Sequence, residues 1–108
     1  MEINKEVLKG HIDTLIVSIL KNNDCYGYEI AKKIRERSEL DMKEGTLYLA
    51  LKRLESKNIV ESYWSDEHTS GGKRKYYHIT DEGREFLKIK KEEWQFIKKV
   101  MDQFLEEV

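Results

Sequence analysis

GTLYLALKRLESKNIVESYW, residues 45–64, decides the fold. Its first part has a helical period. Leu47, Ala50, Leu51 and Leu54 share one face, as a core-facing helix requires. The opposite face holds Gly45, Leu49, Lys52 and Ser56, flanked by Thr46, Tyr48 and Arg53. A solvated helix seldom sets a leucine and a tyrosine beside two basic residues, so this face points to a partner. From Ile59 the period changes. IVESYW is rich in β-branched and aromatic residues and too short for a helix, so it reads as a strand.

Outward from this stretch, the flanks supply the rest of a small mainly α (α+β) fold. Residues 6–21 place Leu8, Ile12, Leu15, Ile16 and Ile19 on one side of an amphipathic helix. Asn22-Asn23-Asp24 breaks it, and Asp24 is positioned to cap a second helix over 27–37 with Ile30, Ala31 and Ile34 inward. The third helix covers about 44–57, and Asn58 is a natural stop. KYYHIT, residues 75–80, forms a second strand, with Tyr77 and Ile79 on one face and Tyr76 and His78 on the other. Between the strands, Ser70-Gly71-Gly72 marks a hairpin turn. Thr80 can cap a long final helix, with Asp81 and Glu82 at the positive end of its dipole.

Three helices followed by a two-stranded hairpin is the order of a winged helix-turn-helix. In that fold the third helix packs one face on the core and offers the other to the major groove of DNA. Thr46 and Tyr48 can donate to phosphates, Leu49 can meet a thymine methyl, and Lys52 can reach a guanine edge or a phosphate. The wing tip carries Gly72, Lys73, Arg74 and Lys75: a small residue for close approach, then cations.

The total charge argues neither for nor against an acidic or basic partner, but its distribution is uneven. The 108 residues are 38% charged yet carry a net charge of only -1. Residues 1–42 are at net -1, residues 43–80 at net +2 and residues 81–108 at net -2, so the basic part coincides with the third helix and wing. A chain of this size buries about two-thirds of its unfolded surface, enough for one modest core. No apolar run is long enough to cross a bilayer and no signal-peptide pattern is present, so no membrane partner and a cytoplasmic location are expected. Cys25, the only cysteine, reads as a small apolar filler. His11, His68 and His78 lack metal-ligand spacing, and no nucleophile stands beside a base, so no metal, no cofactor and no catalysis are expected.

In the final helix, Leu87, Trp94, Ile97, Met101, Phe104 and Val108 form a heptad-like seam, interrupted at Lys90 and widened by Val100 and Leu105. Three short helices and a hairpin cannot cover so long a stripe. Its expected cover is a second copy of the chain rather than its own domain. The chain therefore divides into a DNA-binding unit over 1–80 and a dimerisation helix over 81–108.

YGYEIAKKI (26–34), EGTLYLALKRLESKNIV (44–60) and GGKRKYYHITDEGREFL (71–87) resemble the PadR family of bacterial transcriptional regulators. The resemblance covers nearly the whole chain, and the second and third motifs together are specific. It implies a homodimeric repressor on an inverted-repeat operator, of the small subfamily with a single C-terminal helix. It also implies that the tyrosine matching Tyr48, its neighbours including Lys43, and the basic wing hold double-stranded DNA. Two departures stand out. Leu49 replaces a usual proline, and Lys43 replaces a frequent serine, which weakens the cap of the third helix. The class rival is a winged-helix module that binds protein and not DNA.

Some small members resemble multidrug sensors in which paired tryptophans sandwich a flat aromatic effector and release DNA. Trp94 matches that position, and it either lines such a pocket or fills the dimer seam. If a pocket exists, Lys90 and Lys98 lie one turn to either side of Trp94, with Lys91 close by. Two-fold symmetry doubles these charges, which favours an anionic or neutral planar aromatic molecule over a cation.

Overall fold

The computed structural model describes residues 5–66 and 72–108. Its helices are α1 (Lys5–Lys9), α2 (Ile12–Leu20), α3 (Gly27–Ser38), α4 (Glu44–Ser56) and α5 (Asp81–Leu105), and its strands are β1 (Cys25–Tyr26), β2 (Val60–Trp64) and β3 (Lys75–Ile79). The turn expected at Ser70-Gly71-Gly72 lies outside the described residues except for Gly72, as does His68.

The winged helix-turn-helix forms as expected, with three differences. The helix expected over 6–21 is two helices. Gly10 has no Cβ to favour the helical backbone, and His11 turns out of it with φ -110° and ψ -2°. The His11 N–H closes on the Leu8 carbonyl at 2.8 Å, and the His11 carbonyl accepts from Leu15 at 3.0 Å to start α2. Second, the sheet has three strands rather than two, in the order β1-β3-β2. Cys25 pairs with Tyr77 and Tyr26 with Tyr76, all antiparallel. Third, Asp24 does not cap α3. Tyr26 is the N-cap residue, and the Glu29 carboxylate accepts its N–H at 3.2 Å.

The core is one cluster. Ile16, Val17 and Leu20 of α2, Ile30 and Ile34 of α3, and Leu47, Ala50, Leu51 and Leu54 of α4 meet Val60, Tyr77 and Ile79 of the sheet. The helical period placed the α4 residues there, and the alternation of β3 placed Tyr77 and Ile79 inward. Cys25 is fully buried among them as the expected filler, and burial pushes its thiol pKa up.

α4 stops at Ser56, just before Asn58, for a local reason. Asn58 takes a left-handed backbone (φ 61°). Its N–H bonds to Glu55 O at 3.0 Å and that of Ile59 to Leu54 O at 3.0 Å, the two bonds of a Schellman closure. The chain then enters β2 directly.

Thr80 caps α5 as its sequence position suggested. Its Oγ1 accepts from the Gly83 N–H at 3.0 Å, and its hydroxyl points to the carbonyls of Asn58 (2.6 Å) and Ile59 (2.9 Å). Phe86 and Leu87 pack partly on the core. Beyond them Trp94 meets the domain, edge-on to the His11 ring, and α5 then runs outward. A compact chain of this length has a radius of gyration of about 13 Å; here it is 15.8 Å, with a long axis of 57 Å.

The first turn of α5 fits only because residue 83 has no side chain. A Cβ there would lie 2.3 Å from the Ile59 carbonyl oxygen and 2.7 Å from Ile79 Cγ1. The nearer obstacle is backbone and cannot step aside. Gly83→Ala is expected to destabilise the fold by about 1–3 kcal/mol. A thermal melt checks this, and an unchanged midpoint would show that α5 docks more loosely than described.

Candidate nucleic-acid interface

The outer face of α4 is open. Tyr48 is 46% and Leu49 68% exposed, and Gly45, Thr46 and Lys52 are exposed with them. Lys43 is the N-cap residue of α4 and makes no side-chain cap bond, as its replacement of serine implied. The structure brings Tyr48, Lys52, Glu55 and Ser56 of α4 together with Lys75 and Tyr77 of β3 along one groove between helix and wing. Lys43 and Thr46 lie at the other end of the helix, beside Leu40 and Met42.

Several side chains in this region have fixed duties. Arg53, on the flank of the face, makes a two-pronged bond to Asp13 of α2, with Nε 3.2 Å from Oδ2 and Nη2 on the second oxygen. It fastens α4 to α2. Glu55 accepts the Ser62 hydroxyl at 2.9 Å, which ties α4 to β2. The hydroxyl end of Tyr48 comes close to Gly27 at the start of α3. A Cβ on Gly27 would come 2.8 Å from the Tyr48 hydroxyl oxygen, so the glycine makes room for the ring. Neither the Arg53 pairing nor the role of Gly27 had a local sequence signal.

The wing extends this surface. Gly72 is left-handed (φ 87°), a backbone that suits glycine. Lys73 and Arg74 are exposed beside it. The Arg74 guanidinium lies 4.5 Å over the Tyr26 ring, a cation–π contact. Tyr26 stacks on Tyr28 (6.4 Å) and meets Tyr76 edge-on (5.5 Å), and Tyr76 stacks on Tyr63 (5.8 Å). These rings line the sheet face turned away from the core. Tyr63 and Tyr76 are cross-strand partners, as are Tyr26 and Tyr76.

Asp24 anchors this face. It accepts the Tyr63 hydroxyl at 2.6 Å and lies 2.8 Å from His78 Nδ1. Burial alone would raise the Asp24 pKa, but the bonds from Tyr63 and His78 outweigh it and hold the carboxyl below its ordinary value. The same bond to Asp24, aided by burial, pushes Tyr63 up to about 12.

On α5, Trp94, Ile97, Met101 and Phe104 are exposed, at 46% or more. Leu87, expected in the same seam, sits partly on its own core, and Val108 lies past the last helical turn. Ile89 and Phe96 add exposed apolar surface outside the expected seam. The Trp94 ring meets His11 edge-on at 6.0 Å, so it touches the break between α1 and α2. Lys90 is 3.2 Å from Glu93 and 5.5 Å over the Phe86 ring, while Lys91 and Lys98 are exposed. Among the described residues no cluster could hold a metal ion, and no helix is long and apolar enough to cross a membrane.

The match of residues 16–89 to the transcriptional regulator PadR-like family spans the second half of α2, then α3, α4, the wing strands and the first turns of α5. The chain belongs to the PadR-like family. Its members are transcriptional regulators, not enzymes, and the winged helix is their DNA-binding fold. A PadR family transcription regulator from hypervirulent Clostridium difficile is 70% identical, with a TM-score of 0.82 over 89% of this chain and 99% of that one. A transcriptional regulator from Clostridium thermocellum is 43% identical, with a TM-score of 0.86 over 95% and 98%. An uncharacterised protein of Lysinibacillus sphaericus is 39% identical over 96% of each chain.

Proposed function

We propose that this PadR-like regulator binds an inverted-repeat operator as a homodimer and represses transcription. The observation that carries the reading is the groove in which Tyr48 and Lys52 of α4 face Lys75 of the wing, with Lys73 and Arg74 exposed beyond it. A helix face edged by cations matches a major groove edged by phosphates. Lys43, Thr46, Leu49 and Gly72 complete the proposed contact surface. In this reading residues 1–80 hold the DNA, and α5, within 81–108, joins two copies. The exposed stripe from Trp94 to Phe104 supports the second copy, and a two-fold dimer reads a two-fold operator.

Binding should weaken steeply as salt rises. Arg74→Ala should weaken binding to all sequences and reduce the salt slope by about one. Lys52→Ala should do the same if it holds a phosphate, and relax sequence preference if it reads a base. Fluorescence anisotropy with fragments of the protein's own promoter measures both. No binding at low salt would leave a protein-binding module as the better account.

Met101→Asp with Phe104→Asp should give a monomer or an unfolded chain, because the interface would bury unpaired charge. Light scattering decides it; a normal dimer would put the interface elsewhere.

The effector in this reading is a flat aromatic molecule stacked on Trp94 that releases DNA. Lys91 and Lys98 give the site a positive field, while Glu93 offsets Lys90. An anionic or neutral compound should therefore bind more tightly than a matched cation. With Trp64→Phe as background, Trp94 fluorescence follows the titration. Tighter binding of the cation would refute the charge argument, and no response to either would leave Trp94 as a seam residue.

A further inference from the structure

We propose that Asp24 positions the wing for DNA: its carboxylate holds the aromatic platform on which Arg74 rests. This rests on the DNA-binding reading above.

The chain of contacts is short and continuous. One Asp24 oxygen accepts the Tyr63 hydroxyl at 2.6 Å, and the other faces His78 Nδ1 at 2.8 Å. Asp24 lies in the segment before β1, whereas Tyr63 is on β2 and His78 on β3. One carboxylate thus clamps both wing strands to the helix-turn-helix. The Tyr63 ring then stacks on Tyr76 at 5.8 Å, Tyr76 meets Tyr26 at 5.5 Å, and Tyr26 carries the Arg74 guanidinium at 4.5 Å.

The wing needs such a clamp. On its inner face Val60, Tyr77 and Ile79 are buried, but the pairing then runs outward to Trp64 and Lys75, and Trp64 is 62% exposed. On the outer face β1 reaches only as far as Tyr76. Beyond that register the Arg74 backbone is tied to the end of β2, its carbonyl accepting the Ser65 N–H at 2.8 Å, while the aromatic stack is what carries its guanidinium. The clamp also contributes little to folding. The His78 and Asp24 side chains are 46% and 35% exposed, and solvent screens a polar contact so exposed. Its consequence is orientation. A cation fixed in place reaches a phosphate without losing side-chain freedom on binding.

The test is a double-mutant cycle on DNA affinity at fixed salt, with folding followed by thermal melts. Asp24→Ala removes the clamp. Tyr63→Phe removes only the hydroxyl, so it keeps the test usable if Asp24→Ala folds poorly. Each should weaken binding of promoter DNA roughly five- to tenfold. In an Arg74→Ala background each should cost little more, because the platform has lost its cation. A purely structural role would give the same loss in both backgrounds and would overturn the proposal. In parallel, the ionisation of Tyr63 should fall from about 12 toward 10.0 in Asp24→Ala, read from tyrosinate absorbance. If the unmodified protein binds no DNA, the DNA-binding reading fails and takes this inference with it. If it binds and neither substitution weakens binding, this inference alone fails.

Discussion

The backbone of Ile59 joins three elements. Its N–H ends α4 by bonding to Leu54 O at 3.0 Å. Its carbonyl accepts the Thr80 N–H at 3.2 Å and the Thr80 hydroxyl at 2.9 Å, and it abuts Gly83. The end of α4, the start of the wing and the start of α5 thus meet at one peptide unit. A buried carbonyl that loses its donor costs about 1–3 kcal/mol, so the three elements keep a fixed geometry here. Asn58 makes the junction possible. A left-handed residue is needed to turn the chain from α4 into β2, and asparagine tolerates that backbone better than most residues.

Around this junction, arginines divide the work. Arg53 on α4 and Arg74 on the wing are both exposed, yet they are engaged in different ways. Arg53 meets Asp13 through both prongs of its guanidinium, the geometry in which arginine binds carboxylates best. Arg74 instead lies on a tyrosine face, which orients it without neutralising it. A cation–π contact leaves the positive charge available to a phosphate, whereas an ion pair would cancel it. Charge count alone therefore overstates what α4 offers to DNA and says little about how the wing presents its cations.

This difference also marks what the sequence could disclose. The core face of α4, the stop at Asn58, the Thr80 cap and the inward pair Tyr77 and Ile79 are all written locally, within one turn or one strand. Each was legible. The break at Gly10-His11 was not, because the apolar spacing runs through it from Leu8 to Ile12 without a change of period. β1 has only two residues, too few to show a period, and exists because Tyr77 and Tyr76 offer it an edge. Asp24 looked like a cap because caps are local. Its actual partners lie 39 and 54 residues away, beyond the reach of any pattern rule. The same holds for Arg53 and Asp13, 40 apart. Within the candidate interface, the residues proposed to touch DNA rest on composition and on the helix face they share. Those that hold them in place, Gly27, Asp13 and Asp24, were not legible in the sequence.

The long helix turns the Ile59 junction into a lever. α5 has 25 residues, a rod of about 37 Å, and only its first turns rest on the core. An isolated helix is marginal in water, and most helical stability comes from packing an apolar face. The exposed stripe from Trp94 to Phe104 needs such a face, and in the proposed dimer it comes from the other copy. The angle at which α5 leaves the domain then sets the separation of the two α4 helices. Two successive major-groove sites lie about 34–36 Å apart, so that separation has to be held closely. A small tilt at the Thr80–Gly83 turn would grow along the rod into a displacement of several ångströms at its far end. Trp94 sits midway along this rod and touches His11 at the α1–α2 break. A ligand stacked there would push on the lever between its pivot and its end, without contacting either DNA-binding surface.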